Sequence, residues 1–385
     1  MTINWWSTDP ALSQAATAFN AAHEHVQIKF EQFAYADYVT YLDTVVALGE
    51  SPCLAQMDDS TLNRYLSSGH LADVTEHVSD ARAEFPEWAW GTVSLGDSAF
   101  GVPLRSGTMA LLYRADLFQQ YGLEVPTTWA EFKAVGQKLR AADPNKYIAN
   151  LPDVDSYSGY ARQAGASWFS AADGAWQVTI DSPANAEVAE FWQSMVDERL
   201  VSTFPSWSDD LVDAWADGTV VAEVGAAWTA GLLESVAAGS SGNWAVAPMP
   251  KWGGSDAVGS THGSALAVLP GCPHPKEAAE AAVWLATSPE SVDALIDAGI
   301  YPASLEGQRL AAASGGVAFF GGQAIFEVFA AESPKVNPDW LTGPVMAEAM
   351  AILSQGLTEV SDGSSTIPNA LRSAQAEMET AVQSY

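Results

Sequence analysis

The stretch Gly101 to Leu139, GVPLRSGTMALLYRADLFQQYGLEVPTTWAEFKAVGQKL, constrains this chain more than any other. It reads as an apolar strand over Met109 to Tyr113, a short helix stopped at Gly122, a turn at Pro126 and a second helix opening at Thr128. Thr128 and Glu131 have the spacing of a capping box, and Trp129, Phe132, Val135 and Leu139 fall on one helical face. A strand feeding helices in this way belongs to α/β architecture. Here the chain is expected to pass from one lobe into another.

The flanking sequence repeats the alternation. Asp9 and Pro10 have the pattern of an N-cap and first helical residue, followed by Leu12, Ala15, Ala16, Phe19 and Ala22 on one face. Val26 to Phe30 alternates as a strand, a helix starts near Asp37, and the apolar run Cys53 to Met57 ends in Asp58-Asp59-Ser60 before another helix. Strand, helix, strand, helix at this spacing predicts a parallel sheet covered by helices. Further on, Pro152 to Gly165 reads as a loop rich in Asp, Ser, Tyr and Gly, and Ser182-Pro183 opens a helix with Val188, Phe191, Trp192, Met195 and Val196 as its stripe. A helix over Ser208 to Ala216 stops near Gly218, a strand runs from Thr219 to Ala226, and Trp228 opens the next helix. Gly263 to Val268 reads as a return crossing and Ile300 to Ala303 as a third.

Several functions are excluded or disfavoured by composition. At 385 residues the chain exceeds what one core usually serves, so two domains are expected. With 16 basic against 47 acidic residues and a net charge of −31, nucleic acid and anionic membrane surfaces are not expected partners. No apolar window is long enough to span a bilayer. There is no P-loop, GxGxxG, HExxH or GxSxG, and neither cysteine has a partner at zinc-site spacing, so no catalytic residues, cofactor or metal are expected.

The motif G-x-P, an apolar strand, L-Y-x-x-D-L-F, then G-L-x-x-P-x-T-W-x-E-F resembles the signature of bacterial extracellular solute-binding proteins of the sugar-binding type, of which maltose-binding protein is a distant member. The segment W-A-D-G-T-V-V-A-E-V-G-A-A-W at 215–228, P-x-W-x-x-G-P-V-M at Pro338 to Met346 and L-x-x-A-Q at Leu371 to Gln375 resemble the same family. The resemblance implies a two-lobed, periplasmic-binding-protein-like (type II) α/β clamshell with three hinge crossings. The lobes are expected at 1–104 with 259–302, and at 105–258 with 303–385. It implies a monomeric receptor that captures an oligosaccharide by lobe closure and hands it to an ABC transporter permease. The alternatives are a glycan-active enzyme, or a receptor for another solute such as a phosphorylated polyol. Because Met1 runs straight into the strand-like Thr2-Ile3-Asn4-Trp5-Trp6, no signal segment is read in this chain. The resemblance implies that an export signal has been removed. In a Gram-positive source a lipid-bearing cysteine anchoring the protein outside the membrane would have gone with it; a Gram-negative source implies the periplasm.

Sugar recognition asks for aromatic faces against the C–H surface of the ring, and planar polar groups for the hydroxyls. Of the 15 tryptophans, Trp129, Trp192 and Trp284 sit in helical stripes and read as core. Trp6, Tyr35, Trp228, Tyr301 and Trp340 lie at strand ends or beside turns, and the resemblance places them at the cleft. Asp59 is expected to bind hydroxyls from the carboxyl end of the second lobe-forming strand, where ligands of open α/β sheets sit, with Asp58 as the alternative for that role or for a helix cap. The resemblance implies that Arg105 looks into the cleft from the first hinge crossing; Asp155 and Tyr157 are expected to bind sugar from their loop, and His262 to bind it as a hydrogen-bond donor in the hinge region rather than to hold a metal. Cys53 and Cys272 are expected to form a disulfide at the end of the first lobe away from the cleft, two separate thiols being the alternative.

Overall fold

The computed structural model describes residues 1–172, 175–261 and 263–384. The chain divides into two units, Met1–Gly107 with His262–Ser314, and Thr108–Thr261 with Gly315–Tyr385, so it crosses between them three times. The third crossing follows Ser314 rather than Pro302, because the helix Leu305–Ala313 packs on the first unit's helix Pro289–Asp297.

In the first unit a five-stranded sheet has the order Gln27–Gln32, Thr2–Ser7, Leu54–Asp58, Ser264–Val268, Gly101–Arg105. The first three are parallel, as expected, but Ser264–Val268 runs antiparallel to both its neighbours. The reason is connectivity. The chain leaves this unit from the carboxyl end of Gly101–Arg105 and re-enters at the same end, so the returning strand must run the other way. All five residues of Ser264–Val268 are buried, as are Leu54, Ala55, Gln56 and Met57. Since successive side chains point to opposite faces, both faces of the sheet are covered.

The disulfide joins Cys53 and Cys272, whose Cα atoms are 4.7 Å apart. Cys53 precedes the strand that ends at Asp58 and Cys272 follows the strand that begins at Ser264, with Leu54 paired to Val268. The bridge therefore lies at the amino end of the parallel strands, opposite Asp58.

The second unit is built on Met109–Arg114, flanked by Ala222–Ala226 and Trp244–Pro248, both antiparallel to it. The capping box is present: Glu131 N donates to Thr128 Oγ1 at 3.1 Å, and Glu131 Oε2 accepts from Thr128 N at 3.2 Å. Its helix, Trp129–Ala142, buries the four residues of the expected stripe. Trp129 centres an aromatic cluster with Phe132, Tyr160, Trp192 and Trp252, ring centroids 5.3 to 5.8 Å away, and its indole donates to Gln163 Oε1 at 2.8 Å. Trp284 packs edge-on to Phe19 in the first unit. Among the described residues no helix is long and apolar enough to cross a membrane.

Candidate functional site

The first unit gathers polar residues where its parallel strands end. Asp58 caps the helix Asp59–Ser67, its Oδ1 accepting from Thr61 N at 2.8 Å. Asp59 Oδ2 accepts from Gly263 N at 3.0 Å, and its own N–H donates to Gly263 O at 3.2 Å, which ties it to the returning strand. Tyr35 opens the helix Tyr35–Leu48 rather than preceding it; it is 72% exposed, and its hydroxyl donates to Asp58 Oδ2 at 3.2 Å. Trp6 is half-buried against Phe33, centroids 4.5 Å apart. Arg105 donates through Nη2 to Asp9 Oδ2, and the same Asp9 caps the chain's first helical turn through Oδ1.

Two of the expected site residues are core. Tyr301 is 1% exposed, and burial raises its hydroxyl above the ordinary tyrosine range. Tyr157 is also 1% exposed, with its hydroxyl 3.0 Å from Asn185 Oδ1. Tyr157 and Asp155 belong to the helix Val154–Gln163, not to a loop. Asp153 caps that helix by accepting from Ser156 N at 2.8 Å, and Tyr157, Tyr160 and Ala161 form its buried stripe. Trp340 packs on Trp168 at 5.3 Å, away from the pocket described next. His262 lies outside the described residues.

The second unit contains a concave pocket, and among the expected residues that the structure describes only Trp228 lines it. Trp228 opens the helix Trp228–Val236 and faces Trp207, ring centroids 5.6 Å apart and planes inclined by 36°. Trp207 is 54% exposed and sits at φ 65°, a left-handed backbone that bulky residues rarely adopt. Asn150 holds this loop in shape. Its Oδ1 accepts from Phe204 N at 3.1 Å and from Ser202 Oγ at 2.8 Å, while its Nδ2 donates to Phe204 O at 3.1 Å. Ser208 caps the next helix, Asp209–Asp217, whose Leu211 and Trp215 form the wall beneath, and Gly218 ends it in the left-handed conformation.

Two carboxyls complete the pocket, Asp153 at the helix cap and Glu223 on the strand Ala222–Ala226. Glu223 has protein on most sides and is open to the pocket. Burial first, then the neighbouring Asp153 charge, push its carboxyl up to about 8, so it keeps its proton at neutral pH. Among the described residues its carboxyl has no hydrogen-bond or ion-pair partner. Two residues on, Gly225 is required: a Cβ there would meet Thr229 Oγ1 at 2.5 Å, so only glycine lets the helix Trp228–Val236 close on the strand. Among the described residues no lysine or arginine lines the pocket. Among the described residues no group of three or more His, Cys, Asp or Glu is arranged to hold a metal ion.

Sequence reasoning missed Asp153, Trp207, Trp215 and Glu223. The available signals were a lone glutamate inside an apolar strand, T-V-V-A-E-V-G-A-A, and an aromatic one residue before the helix cap Ser208.

The fold is that of two-domain α/β solute-binding proteins. Residues 14–314 match the model of the bacterial extracellular solute-binding protein family, and the chain belongs to that family. It is similar to the galacto-N-biose-/lacto-N-biose I-binding protein of a Bifidobacterium longum ABC transporter, solved with lacto-N-biose. That structure is 27% identical, covers 100% of this chain and 97% of its own, and has a TM-score of 0.86. The binding protein from B. animalis subsp. lactis in complex with β-1,6-galactobiose is 24% identical with a TM-score of 0.85, covering 100% and 98% of the two chains, a likeness of fold. Among curated relatives, a protein of Brucella abortus named as a binding protein is 24% identical over 208 residues, 52% of this chain and 50% of that one. A lipoprotein in the oleD 5′ region of Streptomyces antibioticus is 26% identical over 291 residues, 71% and 63% of the two chains. The chain thus spans about half the length of the first curated relatives it matches.

Proposed function

We propose that the protein is an extracellular receptor that captures an oligosaccharide and delivers it to the permease of an ABC transporter, binding without turnover. The observation that carries this reading is the Trp207–Trp228 pair lining a pocket that Asp153 and Glu223 also line. Aromatic faces suit the apolar surface of a sugar ring, and carboxyls suit its hydroxyls. A phosphorylated ligand would need cationic partners, and among the described residues no lysine or arginine lines this pocket. The lacto-N-biose and β-1,6-galactobiose complexes of similar proteins support the choice of ligand class and name the first two probes. Trp6, Asp59 and Arg105 are proposed as further ligand contacts from the first unit. The three crossings are proposed to act as a hinge, an arrangement in which ligand binding favours the closed state.

The test is thermal unfolding against a glycan panel with product analysis on the same samples. A ligand at about a hundred times its Kd stabilises the fold by roughly 2.7 kcal/mol. Stabilisation without new products supports the receptor, product formation points to a glycan-active enzyme, and no shift with any glycan rejects a carbohydrate ligand. Scattering at saturating ligand should give a smaller radius of gyration than the free protein; identical profiles would argue against closure.

A further inference from the structure

The pocket of the second unit combines features that a receptor for neutral sugars does not require together. It is lined by two carboxyls, Asp153 and Glu223, and among the described residues by no lysine or arginine. Asp153 uses one oxygen, Oδ1, to cap its helix. Glu223 has no protein partner among the described residues. The titratable groups that act on Glu223 are Asp153 and Tyr160. Tyr160 is neutral, its hydroxyl donating to Val224 O at 2.8 Å. Two indole rings, Trp207 and Trp228, line the same pocket.

We infer that this pocket selects saccharides by charge, seating a sugar that carries a free, protonated amine between the Trp207–Trp228 pair and the carboxyls of Glu223 and Asp153, and rejecting sugars that carry carboxylate, sulfate or phosphate. This rests on the reading of the pocket as a glycan site. A cation there offsets both the burial and the Asp153 charge that keep Glu223 protonated, gains charge-assisted hydrogen bonds, and meets the negative face of an indole. An anion meets two carboxyls and, among the described lining residues, no lysine or arginine. On binding, the proton on the Glu223 carboxyl leaves to solvent, and the ammonium of the ligand keeps its own.

The experiment compares the glucosamine disaccharide of chitosan with its di-N-acetylated form and with a glucuronate-containing disaccharide, by calorimetry at about pH 6, where the amine is protonated. The expected result is affinity for the amine form about tenfold or more above the N-acetylated form, with no binding of the acidic one. Calorimetry in two buffers of different ionisation enthalpy should show net proton release for the amine form and none for the N-acetylated form. In Glu223→Gln, verified as folded by its unfolding transition, the ratio of the two affinities should fall towards one and the proton release should vanish. Equal or weaker binding of the amine form by the native protein, or an amine preference that Glu223→Gln leaves intact, overturns charge selection while leaving the receptor reading standing. Failure of every glycan to bind overturns both.

Discussion

The two units meet the needs of their polar groups in opposite ways. Where the first unit's parallel strands end, the candidate side chains answer one another: Arg105 with Asp9, Asp59 with the backbone of Gly263, Tyr35 with Asp58, and Ser7 Oγ with Gln56 Oε1 at 2.7 Å. In the second unit's pocket Glu223 has no answering group among the described residues, and Trp207 is held half-exposed on a left-handed backbone. A group already hydrogen-bonded within the protein must give up that partner to take a ligand, whereas a carboxyl open to the pocket exchanges only water. On the proposed reading, the second unit's pocket is expected to supply the larger share of the binding energy.

The largest effect should come from the feature of the first unit farthest from ligand chemistry. Replacing Cys53 and Cys272 by alanine opens a loop with a sequence separation of 219 and should destabilise the first unit by about 5 kcal/mol on the chain-entropy model. Calorimetric unfolding should show this loss, with affinity at low temperature nearly unchanged. A loss of affinity in the folded variant would mean that the units are not energetically separable.

Trp228→Ala should cost about 2 kcal/mol of binding or more, roughly thirtyfold, with unfolding little changed. Unaltered affinity in a folded variant would remove the second unit from its leading place. Next comes the Glu223 proton. Because the folded-state value is raised to about 8, the native protein holds a proton that the unfolded chain releases above the ordinary glutamate range. The stability linked to this group is present in full at low pH and is lost as pH rises through about 8, with a slope of at most about 1.4 kcal/mol per pH unit. Glu223→Gln should flatten that dependence, and superimposable profiles of the two proteins would show that Glu223 titrates normally. The smallest effect is expected from Arg105→Ala. Its pair with Asp9 is partly exposed and should be worth about 1 kcal/mol or less, and affinity should fall by less than about threefold. A loss matching that of Trp228→Ala would reverse the comparison.

What could be read from the sequence follows from the range of the physics involved. Helix caps are local, so Thr128 with Glu131, Ser208 and Pro183 marked their helices to within a residue or two. The reversal of Ser264–Val268 depends on where the chain re-enters, which spacing alone does not report. Pro152 to Gly165 looked like a loop because its composition is polar, yet Asp153 caps a helix there and Tyr157 and Tyr160 bury their rings. The site was legible at Trp228, where a strand hands over to a helix. Glu223 was not, because its value as a ligand group comes from its nearness to Asp153, 70 residues earlier in the chain (223 − 153). Tyr301 stands beside Pro302 as an exposed turn residue would, but three-dimensional packing buries it.

The reversed strand also bears on how the protein reaches its native state. Ser264–Val268 fills the gap between Leu54–Asp58 and Gly101–Arg105, and all three strands of the second unit's sheet lie earlier in the chain, ending at Pro248. As the polypeptide emerges from its N-terminus, the second unit's sheet has all its strands before the first unit's sheet has its own. Until residue 268 arrives, Leu54–Asp58 presents an open apolar edge and Gly101–Arg105 has no partner in that sheet. Open edges of this kind pair with other chains, and pairings of high sequence separation form slowly. The interval before the last central strand docks is therefore when this protein is most exposed to aggregation.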